Sequence, residues 1–238
     1  MNTTSPWSVA GALIALGALV LAGCATPEGS VDEPATVTTS SAAPALPPST
    51  SSTAPPSQSV VETPLLSSDG RPMRGELSIP RIGVTALEVV PYRGWTDDAP
   101  GTEIQNNGVA ASPYGPRGGT GPGGIGNYQV TAHRLSSTRA FLRLPELRRG
   151  DRVSVRTEEA TYVYRITGTR ETSFRSAASL RAQRAAVPGK PGQEPTRAMI
   201  TLSTCATPED HAEGNYWSDE FDNPEHRIDK IGVLVAVR

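Results

Sequence analysis

AMITLSTC, residues 198–205, is the stretch on which the reading of this chain turns. Apolar and β-branched residues alternate through it without Gly or Pro, the pattern of a strand. It ends on Cys205, and Pro208 follows, so the strand stops there. A cysteine at a strand mouth is rigidly held yet can face a cleft, which suits a nucleophile. Free cysteine is also among the most buried residue types, so a core thiol is an equal alternative on this stretch alone. The other cysteine, Cys24, lies far away in sequence of a different character.

Outward from this strand the period-2 pattern recurs. Toward the C-terminus, Ile231–Val237 is an apolar run that suits a buried central strand. Toward the N-terminus, Asp151–Arg156 and Thr161–Thr167 alternate cleanly, and Glu158-Glu159-Ala160 between them predicts a hairpin. Asn127–His133 is another strand, and it too ends on a titratable residue. Ala86–Val90 and the stretch around Leu77 and Ile79 complete the set, with Pro80 marking an edge strand or a strand end. Short helices are expected over 139–144, capped by Ser136–Thr138, and over 179–186. Residues 91–126 read as loop. Their glycines do not form a phosphate loop, because no Gly-Lys-Ser/Thr follows and no helix pattern opens. Seven or eight short strands with little helix predict an all-β fold, most simply a closed or nearly closed barrel.

The 238 residues allow one ordinary domain plus tails. Met1–Gly70 holds no Lys or Arg, and 71–238 carries 22 basic against 19 acidic residues, a formal +3. That mild excess argues against a dedicated nucleic-acid binder, which shows a basic stripe. Trp7–Gly23 is uncharged and almost wholly apolar, borderline in length for a membrane helix and a better fit to a signal-peptide core. It closes on Leu21-Ala22-Gly23-Cys24, which resembles a bacterial lipobox, with Cys24 as the lipidation point. The reading is a signal peptide over 1–23. Residues 24–70 follow as the lipidated Cys24 and a disordered tether rich in Pro, Ser, Thr and Ala, which cannot bury enough surface to offset ordering entropy. An uncleaved signal anchor is the alternative, disfavoured by length and by the lipobox. Either places the domain at 71–238 outside the membrane. With Cys24 acylated, Cys205 is a lone thiol in an exported protein, which points to chemistry.

A cysteine nucleophile needs an imidazole or a positive charge nearby, and acyl transfer needs donors for the oxyanion. The histidines are His133, His211 and His226. His133 is the best placed, at a strand end, but spacing alone does not select it. The Cys and His residues show no zinc-type pairing, so no metal is expected.

Several motifs together resemble one family. TLSTC at Thr201–Cys205 is similar to the TLxTC signature of sortases, membrane-anchored cysteine transpeptidases of mainly Gram-positive bacteria. Asn127–Arg134 is similar to the family's strand ending in Gly-His-Arg, with Ala132 in place of the Gly. Leu147–Asp151 and Tyr162–Ile166 resemble the next turn and strand. Val187–Gly192 leading into Pro195-Thr196 looks most like class E. Glu225–Ile228 sits where the family places its essential arginine, and Arg227 is the only Lys or Arg between Cys205 and Lys230. The segment before it, Ala206–His226, is longer than the family pattern and carries an aromatic-acidic insert, Asn215–Phe221.

The resemblance implies a closed eight-stranded barrel, with Cys205 as nucleophile, His133 as general acid/base and Arg227 as oxyanion and substrate stabiliser. Thr204 would help orient substrate. It implies no cofactor. Substrates would be exported proteins with a C-terminal LAxTG-type sorting signal, cut between Thr and Gly. The acceptor would be an amine of a cell-wall precursor or of a pilin, at the outer face of the cell membrane. Two other readings compete. A cysteine L,D-transpeptidase would show a Ser-His-Gly-Cys cluster, which is absent. A non-catalytic surface lipoprotein would bind a wall polymer and carry an inert Cys205.

Overall fold

The computed structural model describes residues 66–238. The proposed signal peptide, Cys24 and nearly all of the tether lie outside the described residues. Eight strands close into a barrel: β1 (Gly75–Ile79), β2 (Val84–Arg93), β3 (Ala110–Tyr114), β4 (Gly126–Thr131), β5 (Arg152–Arg156), β6 (Thr161–Ser173), β7 (Ala198–Cys205) and β8 (His226–Val237). Their order around the barrel is β1-β2-β3-β4-β7-β8-β6-β5, with β5 returning to β1. Closure removes free sheet edges, which short strands cannot otherwise protect. The expected closed eight-stranded barrel is therefore observed.

The hairpin expected around Glu158-Glu159-Ala160 is the β5–β6 turn, with Arg156 opposite Thr161. Pro80 ends β1 and opens a single 3-10 turn over Pro80–Ile82. The helix expected near Ser179 is α2 (Ala177–Arg184), capped by Ser176, whose side chain accepts from Ser179 N.

Three expectations are corrected. Residues 91–126 are not all loop. They hold α1 (Ala99–Asn106) and β3. Asp98 caps α1 by accepting from Gly101 N, and a Pro follows in its first turn. β3 is Ala-Ala-Ser-Pro-Tyr and carries no strand propensity of its own. Parallel pairing with β2 holds it, and it meets β4 only at Ala111–Thr131, so Pro113 removes no needed donor there. The helix expected over 139–144 does not form. Ser137 and Arg139 take positive φ, and Phe141 N donates to His133 O at 3.0 Å, which uses the backbone to close a loop instead. Finally, β8 begins at His226, not at Ile231, because polar Arg227 and Asp229 lie within it.

β7 is the organising strand. It runs parallel to β4, with Gly126 opposite Ala198 through Thr131 opposite Ser203, and antiparallel to β8, ending on Cys205 opposite Arg227. Successive side chains alternate between faces. Ile200 and Leu202 point into the barrel with Tyr128 and Val130 of β4 and are essentially fully buried. Thr201, Ser203 and Cys205 take the other face. So do Asn127, Gln129 and Thr131 of β4, and Arg227 and Asp229 of β8. This outer face is also buried, because α2 lies across it. Asn127 Nδ2 donates to Gln183 O at 3.0 Å and Ala185 O at 3.1 Å, and Gln183 Nε2 donates to Asp229 Oδ1 at 2.9 Å. A polar floor under a helix explains why these strands mix apolar and polar residues yet are buried throughout.

The chain is already paired at Ser68, whose N donates to Gly123 O at 2.8 Å, and Gly121 N donates to Gly70 O at 2.7 Å. The glycine-rich loop serves this close approach. A Cβ on Gly121 would stand 1.9 Å from Arg71 O.

Candidate active site

The polar outer face runs to the mouths of β4, β7 and β8, and three sequence-predicted residues meet there. Cys205 closes β7 and Arg227 stands directly opposite it on β8. His133 lies two residues past the end of β4, in phase with Thr131 and so on the same face.

Arg227 is 1% exposed. Its three nitrogen positions are each assigned: Nε donates to Asp97 Oδ2 at 3.0 Å, Nη2 to Asn223 Oδ1 at 2.8 Å, and Nη1 to Cys205 Sγ. Its guanidinium carbon lies 4.6 Å from the Phe174 ring centroid. Burial alone would weaken the Arg227 charge, but Asp97 and then Cys205 outweigh it and hold the guanidinium firmly protonated. A fixed, permanently charged fork is therefore aimed at the sulfur.

The Cys205 thiol is half-buried and, among the described residues, unpaired with any other cysteine. Burial pushes it above its ordinary range, and the Arg227 charge and hydrogen bond offset this only in part, with Asp97 opposing them. His133 is pulled below its ordinary range, first by burial, with Asp97 raising it and Arg227 lowering it. Both shifts favour the uncharged forms, thiol and imidazole, at neutral pH. His133 Nε2 lies 2.8 Å from Asn106 Oδ1. Since a carbonyl oxygen only accepts, this contact puts the ring proton on Nε2 and leaves Nδ1 as the acceptor.

Thr204, on the alternate face, points inward. It is 3% exposed, and its hydroxyl donates to Ala132 O at 2.8 Å, extending the β4–β7 pairing to the residue before His133. The insert does not displace Arg227, because its two ends are tied. Ala206 N donates to His226 O at 2.9 Å, and Asp210 of α3 (Thr207–Ala212) accepts His226 N at 3.0 Å. The other histidines are engaged elsewhere. His226 Nδ1 sits 2.6 Å from Asp210 Oδ1, and His211 stacks against Tyr216 with centroids 4.7 Å apart.

Sequence reading did not identify the supporting residues: Asp97 and Asn223 around Arg227, Asn106 on His133, and Arg134, whose Nη1 donates to Cys205 O at 3.1 Å while its fork grips Glu209. Two of them had a local signal: Arg134 closes the stretch similar to Gly-His-Arg, and Asp97 stands beside Asp98, which opens a helix-start signature with Ala99-Pro100. Among the described residues no cluster of three or more His, Cys, Asp or Glu could hold a metal ion.

The family model for the sortase domain matches residues 77–217. The fold is that of SrtA sortase from Actinomyces oris, at 19% identity and a TM-score of 0.53, with 75% of this chain and 89% of that chain covered. It is also that of sortase E1 from Streptomyces coelicolor, solved with a tripeptide in the active site, at 20% identity and a TM-score of 0.52, with 72% and 93% covered. No curated protein matches the chain in sequence. The match covers more than half of the chain, on the same barrel and across the strands that carry His133 and Cys205; this chain belongs to the sortase family.

Proposed function

We propose that the protein is a cysteine transpeptidase of class E type that cuts an LAxTG-type sorting signal between Thr and Gly. The observation that carries this reading is the direct pairing of a buried, fixed Arg227 with the Cys205 sulfur, on the face that also bears His133. The Cys205 sulfur attacks the threonine carbonyl carbon, and its proton passes to His133. The Arg227 guanidinium then donates to the developing oxyanion. As the C–N bond breaks, His133 gives the proton to the leaving glycine amine. The thioester on Cys205 is resolved when an acceptor amine attacks the same carbon. The thiolate leaves, and the amine's extra proton goes to His133 and from it to the Cys205 sulfur, which restores the thiol and the neutral imidazole. The amine belongs to a cell-wall precursor or to a pilin. Thr204 serves by fixing the backbone before His133, and substrate orientation follows from that.

The N-terminal segment is proposed to hold the domain on the outer face of the cell membrane, through lipid on Cys24 or as a signal anchor. Mass spectrometry of the mature N-terminus distinguishes the two.

Incubating the 71–238 domain with an LAxTG peptide and a diglycine or lysine amine is expected to yield the transpeptidation product. Cys205→Ala is expected to abolish it and leave a folded barrel. Cleavage retained by Cys205→Ala would sink the nucleophile assignment. Labelling of wild type by a thiol-directed probe with no protection by peptide would favour the non-catalytic lipoprotein.

A further inference from the structure

A second feature borders the polar face. The loop after β3 and helix α2 enclose a cleft of about 370 Å³, lined by Pro116, Arg117, Ala177, Leu180, Arg181 and Arg184. Three guanidinium groups converge on it. Among the described residues none of the three has an ion-pair or hydrogen-bond partner. Arg184 is half-buried, and its Nε is shut from water with no acceptor. Arg117 is held by stacking over Trp95, 3.5 Å from the ring centroid, which leaves its in-plane N–H groups open. Two carboxylates are close enough to act on Arg184, Asp97 and Asp98. Both are occupied: Asp97 holds Arg227, and Asp98 caps α1 and accepts from Trp95 N at 3.1 Å. Beneath the same loop, Gln129 Nε2 is a further buried donor without an acceptor, packed against Gly119.

A partly desolvated cation without a counter-ion is costly, and like charges brought together raise that cost. An anion in the cleft would offset both costs. The remaining lining is apolar, Pro116, Ala177 and Leu180, so the cleft matches an acidic side chain flanked by small or apolar ones better than a fully hydrated ion. Asp97 links this cleft to the reacting end of the barrel, since one carboxylate acts on Arg184 and bonds Arg227. We propose that Arg117, Arg181 and Arg184 form a subsite for a carboxylate side chain of the peptide substrate, so that the enzyme selects sorting signals bearing an Asp or Glu. This rests on the transpeptidase reading for the identity of the substrate, but the presence of an anion site does not.

The test has two arms. In the first, a single Glu is walked along a neutral LAATG-containing peptide, each version paired with its Gln counterpart, and kcat/KM is measured on wild type. One position is expected to show a Glu-over-Gln preference of about tenfold or more, as for a charge-assisted hydrogen bond. That preference should collapse in Arg184→Gln and Arg117→Gln and weaken as salt screens it. In the second, Cys205→Ala is titrated with an acetylated Ala-Glu-Ala amide and, separately, with inorganic phosphate, following the Arg Nε–Hε NMR resonances. A shift of the Arg184 resonance by the acidic peptide, absent with Ala-Gln-Ala, supports the subsite even if no LAxTG peptide is turned over, and in that case only the transpeptidase reading fails. The proposal is overturned if no Glu position is preferred, if the preference survives both Arg variants, or if phosphate alone moves Arg184. Arg181→Gln, at an exposed position, serves if Arg184→Gln does not fold, and should also reduce the preference.

Discussion

Replacing Asp97 by Asn separates the buried ion pair of Arg227 from the catalytic role proposed for it. Asp97 is 8% exposed and accepts the Arg227 Nε at 3.0 Å. Removing one partner of a buried ion pair typically costs about 3–5 kcal/mol. Here the amide keeps an acceptor oxygen in place, so the expected loss falls below that, about 2–3 kcal/mol, or a melting temperature lower by about 5–10 °C in a domain of this size. The site responds in opposite directions. Burial raises the Cys205 thiol most and Asp97 adds to it, so removing Asp97 leaves Arg227 opposed by burial alone and the thiol pKa falls. Iodoacetamide should then inactivate Asp97→Asn faster than wild type at neutral pH. Turnover should nonetheless drop by about 10- to 100-fold, because the oxyanion role proposed for Arg227 depends on this anchor. The assay is the pH dependence of alkylation beside kcat/KM on one peptide. A thiol pKa that stays or rises in Asp97→Asn, or turnover that follows the alkylation rate upward, would refute the reasoning.

Three further outcomes are expected. The kcat/KM profile of wild type should be bell-shaped, with its acid limb below the ordinary histidine range and its alkaline limb above the ordinary thiol range, since burial lowers His133 and raises Cys205; an acid limb above neutrality would contradict the site's electrostatics. Burial alone would lower His226, but Asp210, through its hydrogen bond and charge, with Glu171 and Glu225, outweighs it and raises the imidazole above its ordinary range. The folded state therefore holds that proton more tightly than the unfolded chain. The stability it contributes is complete below the ordinary histidine value and lost as pH rises through the raised one. The melting-temperature advantage of wild type over His226→Asn should shrink over that window, and a gap constant with pH would count against it. Gly121→Ala should cost about 2–4 kcal/mol, since its Cβ would meet Arg71 O at 1.9 Å. Gly83→Ala, at φ +77 but with nothing within 4 Å, should cost only about 1 kcal/mol by chemical denaturation. Equal losses would show that the Cβ contact at Gly121 does not set its cost.

Much of the barrel was legible because alternation is a local property. Clean period-2 runs at Arg152–Arg156 and Thr161–Thr167 carry their own register. Cys205, His133 and Arg227 were legible as residues because each stands at or beside a strand end within a recognisable motif. β3 was not, since Ala-Ala-Ser-Pro-Tyr becomes a strand only when β2 offers it a ladder. The start of β8 was hidden for a related reason. Arg227 and Asp229 look like solvent residues, yet both are buried, one between Cys205 and Asp97, the other beneath Gln183.

By itself, then, the sequence determined the all-β class and most of the strands, and marked Cys205, His133 and Arg227 as candidates for the chemistry, because each depends on residues near one another in the chain. The tertiary structure decided that His133 shares a face with the thiol, because that follows from parallel pairing of β4 with β7 across some seventy residues. It also decided the protonation of the site. Asp97 lies 130 positions before Arg227, and no local pattern records that its carboxylate holds the guanidinium against the sulfur, or that burial favours the uncharged thiol and imidazole.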